Sequence, residues 1–396
     1  MRFRVVLCAV LFAFPALATN VTVGCAGGPP GDYPTITAAV AALDLDGPHT
    51  ITVSGTCSES VLLDQRERLT IDGPATVNGG AQPAFVIRNS AHVLLRALTT
   101  SGPSSAISIG NHSSVTLMGV IAENATNGFA VDAFGGAVVN VNGPIASAPS
   151  IFRNSANGMR CEACTAFFSG FVTIENNTNV GLLIDSGRVE TSGQQPAWTG
   201  GPAGGGPTII RNNFNGVSVT SGGHFEMGRY NLIENNTASG IILTGGTASL
   251  FGNLLPDGTA SATTIQGNDR NAVSALFNST LRAQGPHKFL NNGAAAVPFR
   301  AGVSATHSSV VVLSGVAVTG STGPGVSLDS TSNARLDATT ISGNSEEAVR
   351  LVHGSLLEFL ANNSVPAPSV TCDGTSIVFG DLTGVAAFEC DKATKK

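Results

Sequence analysis

Carboxylates on three neighbouring segments of the chain could form a cation site. Asp132, Glu162 and Asp185 each lie in a short apolar run. Side chains of a strand alternate between its two faces, so we expect these three to point outward in one file, with Arg160 beside them. Stacked carboxylates repel each other unless a cation binds or one takes up a proton, and oxygen ligands suit Ca²⁺. Without a metal, Asp132 and Asp185 are ordinary turn residues and Glu162 pairs with Arg160.

A second candidate is Trp198, the single tryptophan, which lies among glycines and prolines in residues 192–207. A pyranose ring packs well on an indole face, so Trp198 is a candidate substrate-binding residue. It could instead fasten its own loop to the fold. His112, His224 and His353 fall near turns, without a Ser or Cys and an orienting acid at readable spacing, and we interpret them as solvated turn residues.

A repeat of short segments must position these residues. Residues 208–220 read Thr-Ile-Ile-Arg-Asn-Asn-Phe-Asn-Gly-Val-Ser-Val-Thr, and residues 231–244 repeat the order of apolar run, Asn, turn, Gly and second apolar run. The runs are short and rich in Val, Ile and Thr, which favours strands over helices. Repeats of this length bury their apolar faces only by stacking on their neighbours. The sequence therefore predicts an all-β fold, a single right-handed parallel β-helix.

Two columns of residues should mark its register. An Asn or Gly, which tolerates a left-handed turn and can stack into a hydrogen-bonded ladder, follows each first run. The residue before it alternates in charge, and neighbouring strands lie about 4.8 Å apart, so opposite charges should meet and fix the register. The turn column is Asn124, Asn154, Asn176, Asn212, Asn235, Gly267 and Asn291, and the charge column is Glu123, Arg153, Glu175, Arg211 and Glu234, then Gln266.

The N-terminal region resembles the pectin-lyase-like superfamily of right-handed β-helix proteins. The resemblance lies in residues 33–43, which read as a short amphipathic capping helix with Thr35 as N-cap, in residues 50–63 (Ile-x-Val-x-Gly-Thr…Glu-x-Val) and in residues 69–73 (Leu-Thr-Ile-x-Gly). It extends through the Asn-containing repeats to about residue 365. This superfamily holds lyases, hydrolases, esterases, epimerases and non-enzymatic surface proteins, so the resemblance is specific for the fold.

The resemblance also implies roles for the carboxylate file. In pectate lyases, acidic residues on one sheet hold Ca²⁺ against a uronate, and a nearby Arg removes the proton α to its carboxylate. Carried over by position, Asp132, Glu162 and Asp185 would be the metal ligands and Arg160 the catalytic base, with Arg188 as its substitute. The chain lacks the Arg-x-Pro-x-x-Arg motif of these lyases, and Gly223-His224-Phe225 is a fragment of the polygalacturonase Gly-His-Gly motif.

Six cysteines remain after the first eighteen residues, and an exported chain could form disulfides among them. Sequence allows fifteen pairings of six cysteines, and proximity favours Cys25–Cys57, Cys161–Cys164 and Cys372–Cys390. The first and last would close the two ends of the solenoid. Cys161-x-x-Cys164 could instead be a redox or zinc motif, but no second Cys/His pair at ligand spacing accompanies it.

Export itself is predicted from residues 1–18, in which Arg2 and Arg4 precede an apolar run and Ala16-Leu17-Ala18 supplies a cleavage site. We expect a cap and first coil in residues 19–60, the β-helix in 61–365 and a C-terminal cap and tail in 366–396. The net charge of −6 and the absence of basic stripes argue against nucleic-acid binding, and no later run is long enough to span a membrane.

Two functions from different classes compete. The first is a secreted, monomeric β-helix protein that presents a repetitive surface to a polysaccharide or cell-surface glycan without catalysis and without a required cofactor; the missing catalytic motifs favour it. The second is a Ca²⁺-dependent uronate lyase, or a related carbohydrate-active enzyme, at Asp132, Glu162 and Asp185. An adhesin or fibre is a third hypothesis, for which we find no assembly segment.

Overall fold

The computed structural model describes residues 18–192, 206–252, 262–294, 300–366, 370–390 and 393–395. In this part of the chain, strands of successive coils pair in parallel, and a strand from one coil hydrogen-bonds to the equivalent strand of the next. The fold is a right-handed parallel β-helix, as the sequence predicts.

The described strands form a 14-stranded sheet, here sheet B, and a 25-stranded sheet, here sheet A. Sheet B consists of Val61–Asp64, Phe85–Arg88, Ser105–Gly110, Phe129–Phe134, Asn157–Glu162, Val180–Asp185, Asn215–Thr220, Ile241–Thr244, Val273–Leu276, Val303–Ala305, Val326–Leu328, Val349–Leu351, Val370–Cys372 and Phe388–Glu389. Sheet A begins with four strands, Thr19–Gly24, Asp46–Ser58, Glu67–Asn78 and Val93–Ser101, and then divides into two rows.

One row of sheet A follows sheet B in each coil and the other precedes it. The row that follows consists of Ser114–Met118, Val138–Gly143, Thr165–Gly170, Arg188–Ser192, His224–Met227, Thr247–Phe251, Thr280–Gln284, Val310–Ser314, Asn333–Asp337, Leu356–Phe359, Ile377–Gly380 and Ala393–Lys395. The row that precedes consists of Ile121–Glu123, Ser150–Arg153, Val172–Glu175, Thr208–Arg211, Leu232–Glu234, Thr264–Gln266, Lys288–Leu290, Ala317–Thr319 and Thr340–Ser342.

The interior is built from columns of aliphatic side chains, one from each coil. Val217, for example, lies between Leu182 and Ile241 of the adjacent coils, and all three are fully buried. Each such side chain contributes about 1.5–3 kcal/mol by leaving water, and it does so only because the next coil covers it. The column continues through Val273, Val303, Val326, Val349 and Val370.

The corner before sheet B uses two adjacent residues for two tasks. The predicted turn column is left-handed as expected, with φ of 57° at Asn176, 55° at Asn212 and 61° at Gly267. Within the turn column, Asn212 donates to Oδ1 of Asn176 at 3.2 Å on the exposed side, but the continuous buried ladder is formed by the next residue of each coil. Asn177 donates from its side chain to Oδ1 of Asn213 at 2.9 Å, and Asn213 donates likewise to Asn236 at 3.2 Å. The ladder continues through Asn268 to Asn292.

The predicted charge column is confirmed. Arg153 lies opposite Glu123 and Glu175, and Arg211 opposite Glu175 and Glu234. Nε of Arg153 is 2.8 Å from Oε2 of Glu123, and Nη2 of Arg211 is 2.8 Å from Oε2 of Glu175. Gln266 continues the column and donates to Glu234.

The N-terminal end is closed by a helix. It spans Ile36–Ala42, shorter than the predicted 33–43, and the Thr35 hydroxyl caps it by accepting from the amide of Ala38 at 3.1 Å. Ile36, Ala39 and Val40 are buried against the first coils, and the helix N-terminus donates to the Glu59 carboxylate.

All three disulfides form as proximity predicts. Cys25–Cys57 and Cys372–Cys390 lie near the two ends, and Cys161–Cys164 lies within a central coil. Parallel pairing also continues past residue 366, because Val370–Cys372 extends sheet B and Ile377–Gly380 extends sheet A.

Of the predicted signal peptide, residues 1–17 lie outside the described residues. No helix within the described residues is long and apolar enough to cross a membrane.

Candidate functional site

The carboxylate file expected from the sequence is wrong in one member. Asp132 lies opposite Arg160, and Glu162 lies opposite Phe134, so Asp132 is two residues out of register with the other carboxylates. The reason is at the start of the strand: Ala130 and Val131 are both buried at the corner, and Phe129 is not part of the interior column. A shift of two residues keeps the outward face of Asp132 but moves it along the strand.

Arg160 is held between carboxylates. Its Nε and Nη2 lie 2.7 and 3.0 Å from the two oxygens of Asp132, and its Nη1 lies 2.8 Å from Oε2 of Glu162. The guanidinium also stacks on the Phe129 ring, 5.0 Å from its centroid. The side chain of Arg160 is 29% exposed, so these contacts are partly shielded from water.

This environment opposes the predicted role of Arg160 as a base. Hydrogen bonds to Asp132 raise the pKa of Arg160, and the charges of Asp132, Glu162 and Asp185 raise it further, against a lowering by burial. A general base must give up its proton near the working pH, and a guanidinium with a raised pKa keeps it. Arg188 does not replace it, because it lies in sheet A and pairs with Glu190 and Glu226.

The predicted calcium ligands do not fit a three-carboxylate site. Within the described residues, ligand atoms of Asp132, Glu162 and Asp185 do not all come within 4.8 Å of one another. Both oxygens of Asp132 bind Arg160, and Asp185 accepts a hydrogen bond from the Thr220 hydroxyl at 3.2 Å. The cluster that meets this distance, Cys25, Cys57 and Glu59, contains a disulfide and the helix-capping carboxylate and is not a metal site. Trp198 lies outside the described residues.

A different part of sheet B carries a cavity that the sequence did not reveal. It has a volume of about 610 Å³ and crosses several coils on the outer face of the sheet. A second cavity of about 520 Å³ continues it and shares His307, Ser330 and His353 with it. We call the combined channel the sheet B groove. Its lining includes Phe214, Ala238, Ser239, Ile242, Arg270, Asn271, Ser274, Leu276, Phe277, Ser304, Thr306, His307, Asp329, Ser330 and His353.

The groove has polar and apolar elements in a regular order. Ser274 on its floor accepts from the Asn271 amide at 2.7 Å and shares a hydrogen bond with Ser239 at 3.1 Å. Phe214, from the turn before sheet B, is 45% exposed on one wall. Phe277, from the turn after sheet B, is 51% exposed on the other, and its ring stacks on His307 with centroids 4.6 Å apart.

The positive charge of the groove is not neutralised as it is elsewhere. Among the arginines of the described residues, Arg270, Arg282 and Arg350 have no ion pair and no side-chain hydrogen bond. Arg270 is exposed on the wall of the groove. Arg350 continues the outward file of Ser274, Ser304 and Ser327. Its positive charge lowers the pKa of His353. Arg282 lies in sheet A, away from the groove.

His353 is more than the solvated turn residue that we expected. Its Nδ1 is 2.6 Å from Oδ1 of Asp329, and its side chain is 72% exposed in the groove. This hydrogen bond and the charge of Asp329 raise the pKa of His353, and the charge of Arg350 lowers it.

One sequence signal could have located this wall. The turn after sheet B is left-handed, with φ of 53° at Phe277, 53° at His307 and 55° at His353. Such a conformation favours Gly, Asn or His, so the phenyl ring of Phe277 is the member of this turn that is uncommon enough to suggest function.

Comparisons with known proteins identify no family for this chain. No family model matches the sequence, and no curated protein matches it. Among solved structures, the A-modules of two mannuronan C-5 epimerases of Azotobacter vinelandii align with 14% and 13% identity and TM-scores of 0.38 and 0.31. The alignments cover 90% and 91% of this chain and 88% and 93% of those chains. PfbA, a surface adhesin of Streptococcus pneumoniae, aligns over 91% of this chain and 87% of that chain, with 10% identity and a TM-score of 0.27.

Proposed function

We propose that this chain is an exported β-helix protein that binds an extended acidic polysaccharide in the sheet B groove and does not catalyse its conversion. The observation that carries the proposal is a channel across several coils, lined by exposed phenyl rings, hydroxyls and the unpaired guanidinium of Arg270, with exposed Arg350 further along the outward face of sheet B. Export is supported by the three disulfides, which persist in oxidising compartments, and by the signal-like residues 1–18.

The groove suits sugars because it offers aromatic rings for the apolar face of a sugar ring and polar groups for its hydroxyls. The apolar face of a pyranose can pack on Phe214 or on the Phe277–His307 stack, as it would on any aromatic face. Its hydroxyls can exchange hydrogen bonds with Ser274 and Ser304 on the floor. Equivalent positions repeat about every 4.8 Å along the axis, so an elongated ligand meets similar groups in successive coils.

The charge balance favours an acidic ligand. The chain has a net charge of −6, yet most arginines of the described residues are paired with carboxylates while Arg270 and Arg350 are not. A guanidinium binds carboxylate or sulfate groups with two parallel hydrogen bonds. Arg270 and Arg350 lie in coils that are three rungs apart, about 14 Å along the axis, so one extended chain could contact both.

The contacts of Arg160 support the non-catalytic part of the proposal. A lyase at this point would need Arg160 as its base, and this side chain is engaged by Asp132 and Glu162. The sequence also lacks the catalytic motifs of the enzyme families that it resembles.

Binding to three polymers with one backbone tests the proposal: dextran sulfate, carboxymethyl dextran and unmodified dextran. We expect at least one charged polymer to bind more tightly than dextran. Arg270→Ser and Arg350→Ser should each weaken it about tenfold, the effect of losing one charge-assisted hydrogen bond. Arg282→Ser removes the third unpaired guanidinium, outside the groove, and should leave binding unchanged.

Two results would contradict the proposal. If none of the polymers binds, or if Phe214→Ala and Phe277→Ala together leave binding unchanged, the groove is not a glycan site. The lyase hypothesis predicts a rise in ultraviolet absorbance when the protein is incubated with polygalacturonate and Ca²⁺, lost in Arg160→Ala. Such a rise would show that the protein is a lyase and would contradict the non-catalytic part of the proposal.

A further inference from the structure

His353 is held more firmly than an exposed side chain usually is. Its backbone amide donates to Oδ2 of Asp373 at 2.7 Å, and the amide of Gly354 donates to the Thr375 hydroxyl at 2.9 Å, so the next coil fixes the turn. The carboxylate of Asp329, in the preceding coil, then fixes the ring by accepting a hydrogen bond from Nδ1 of His353. Two coils therefore set the position and the orientation of one imidazole.

The orientation leaves Nε2 for a ligand. When the imidazole is neutral, the carboxylate of Asp329 keeps the proton on Nδ1, and Nε2 can only accept a hydrogen bond. When the imidazole is protonated, Nε2 becomes a charged donor. A sugar hydroxyl can bind either form, because it both donates and accepts. A carboxylate or sulfate can bind only the protonated form.

We infer that the His353–Asp329 pair makes the groove a pH-dependent binding site, which holds an acidic glycan while His353 is protonated and releases it when His353 loses its proton. This inference rests on the proposed function and adds its regulation. The other charged and titratable groups around His353 are Asp373, Arg350 and His307. Arg350 keeps its charge throughout, so it supplies a constant part of the attraction while His353 supplies the variable part.

The sign of the dependence follows from linkage. Asp329 raises the pKa of His353 above the ordinary 6.5 in the free protein, and the negative charge of a bound anion would raise it further. Binding therefore takes up protons. The affinity is highest and constant at a pH below the free-protein pKa, and it falls as the pH rises through the pKa of the complex.

The test measures binding of dextran sulfate and carboxymethyl dextran by calorimetry, from about pH 5.5 to about pH 8.5, a range that brackets the ordinary histidine pKa. Buffers of different ionisation enthalpy report the protons taken up. For the wild type we expect proton uptake and at least a tenfold loss of affinity toward alkaline pH, about the value of one charge-assisted hydrogen bond. Unmodified dextran, if it binds, should show neither.

Variants separate His353 from the other histidines. His353→Gln should bind with an affinity that no longer depends on pH, and Asp329→Asn should move the midpoint to lower pH. His112→Gln changes a histidine in a left-handed turn outside the groove and should keep the wild-type profile. If His353→Gln keeps that profile, or if wild-type binding is independent of pH, the inference is wrong while the glycan site stands. If no polymer binds at any pH, both are wrong.

Discussion

Sheet B carries two regions that use the same kinds of residue in opposite ways. In the upstream region, Arg160 satisfies Asp132 and Glu162, and the charges face each other. In the downstream region, Arg270 lines a channel, Arg350 continues the outward file of Ser304 and Ser327, and neither arginine has a carboxylate partner within the described residues. The ion pairs of the upstream region therefore add to the stability of the solenoid, whereas the arginines of the downstream region are not used in this way. Residue type alone does not distinguish the two; the register between coils does.

The largest effect should come from the interior on which both regions depend. Asn213 accepts from the backbone and the side chain of Asn177. Asn213→Ala leaves the buried backbone amide of Asn177 without this partner and removes one of the two acceptors of its side-chain amide, and we expect a loss of about 2–3 kcal/mol in the free energy of unfolding. Urea unfolding measures it. Asn212→Ala is the matched control: it changes the adjacent exposed residue of the left-handed turn and should cost about 1 kcal/mol.

Equal losses for Asn213→Ala and Asn212→Ala would mean that the buried ladder contributes no more than the turn. The two regions would then have to be explained without a shared rigid interior.

A smaller effect tests the comparison directly. Arg160→Met leaves two carboxylates without their cation and should reduce the free energy of unfolding by about 1–2 kcal/mol, since the pair is only partly shielded. Arg270→Met removes no such partner and should change it by less than about 0.5 kcal/mol. The urea midpoints of both variants give the answer, provided that the m-value is unchanged. Similar losses in the two variants would show that Arg270 has a structural role.

The smallest effect concerns acid stability near the groove. Hydrogen bonds from the His353 amide and from the Thr375 and Ser376 groups lower the pKa of Asp373. A depressed folded-state pKa stabilises the protein above the ordinary value of 3.8, and this contribution is lost as the pH falls toward the depressed value. Asp373→Asn should therefore flatten the decline of the thermal midpoint between about pH 4 and about pH 2.

Asp46→Asn serves as the control for this experiment. Asp46 is exposed at the opposite end of the solenoid, and its carboxylate has no hydrogen bond within the described residues. An acid profile that flattens equally in both variants would assign the effect to net charge.

The sequence predicted the fold because each coil repeats the same physical requirement. A residue such as Asn212 tolerates a left-handed turn, and the alternation of Arg153 and Glu175 shows which positions must be adjacent. The helix cap followed from an equally local pattern, Thr35 before an apolar helix face, and the disulfides followed from the proximity of the cysteines in the sequence.

The candidate site was harder to predict because it depends on a register that local patterns leave open. Phe129 is apolar and looked like an interior residue, but the interior accepts Ala130 and Val131 at that corner, and Asp132 moved with them. The sheet B groove brings together residues from coils far apart in sequence, such as Phe214 and His353. Nothing in one coil indicates that its neighbour will supply the opposite wall.

The buried asparagine ladder ends at Asn292. In the next coil the equivalent Ser321 has a hydroxyl that is buried without a partner among the described residues, although its amide bonds to Asn344 beyond it. A molecule pulled apart by its ends would therefore meet uneven resistance. The coils joined by the ladder from Asn177 to Asn292 would resist more than the step between Asn292 and Ser321, which lacks that buried side-chain hydrogen bond.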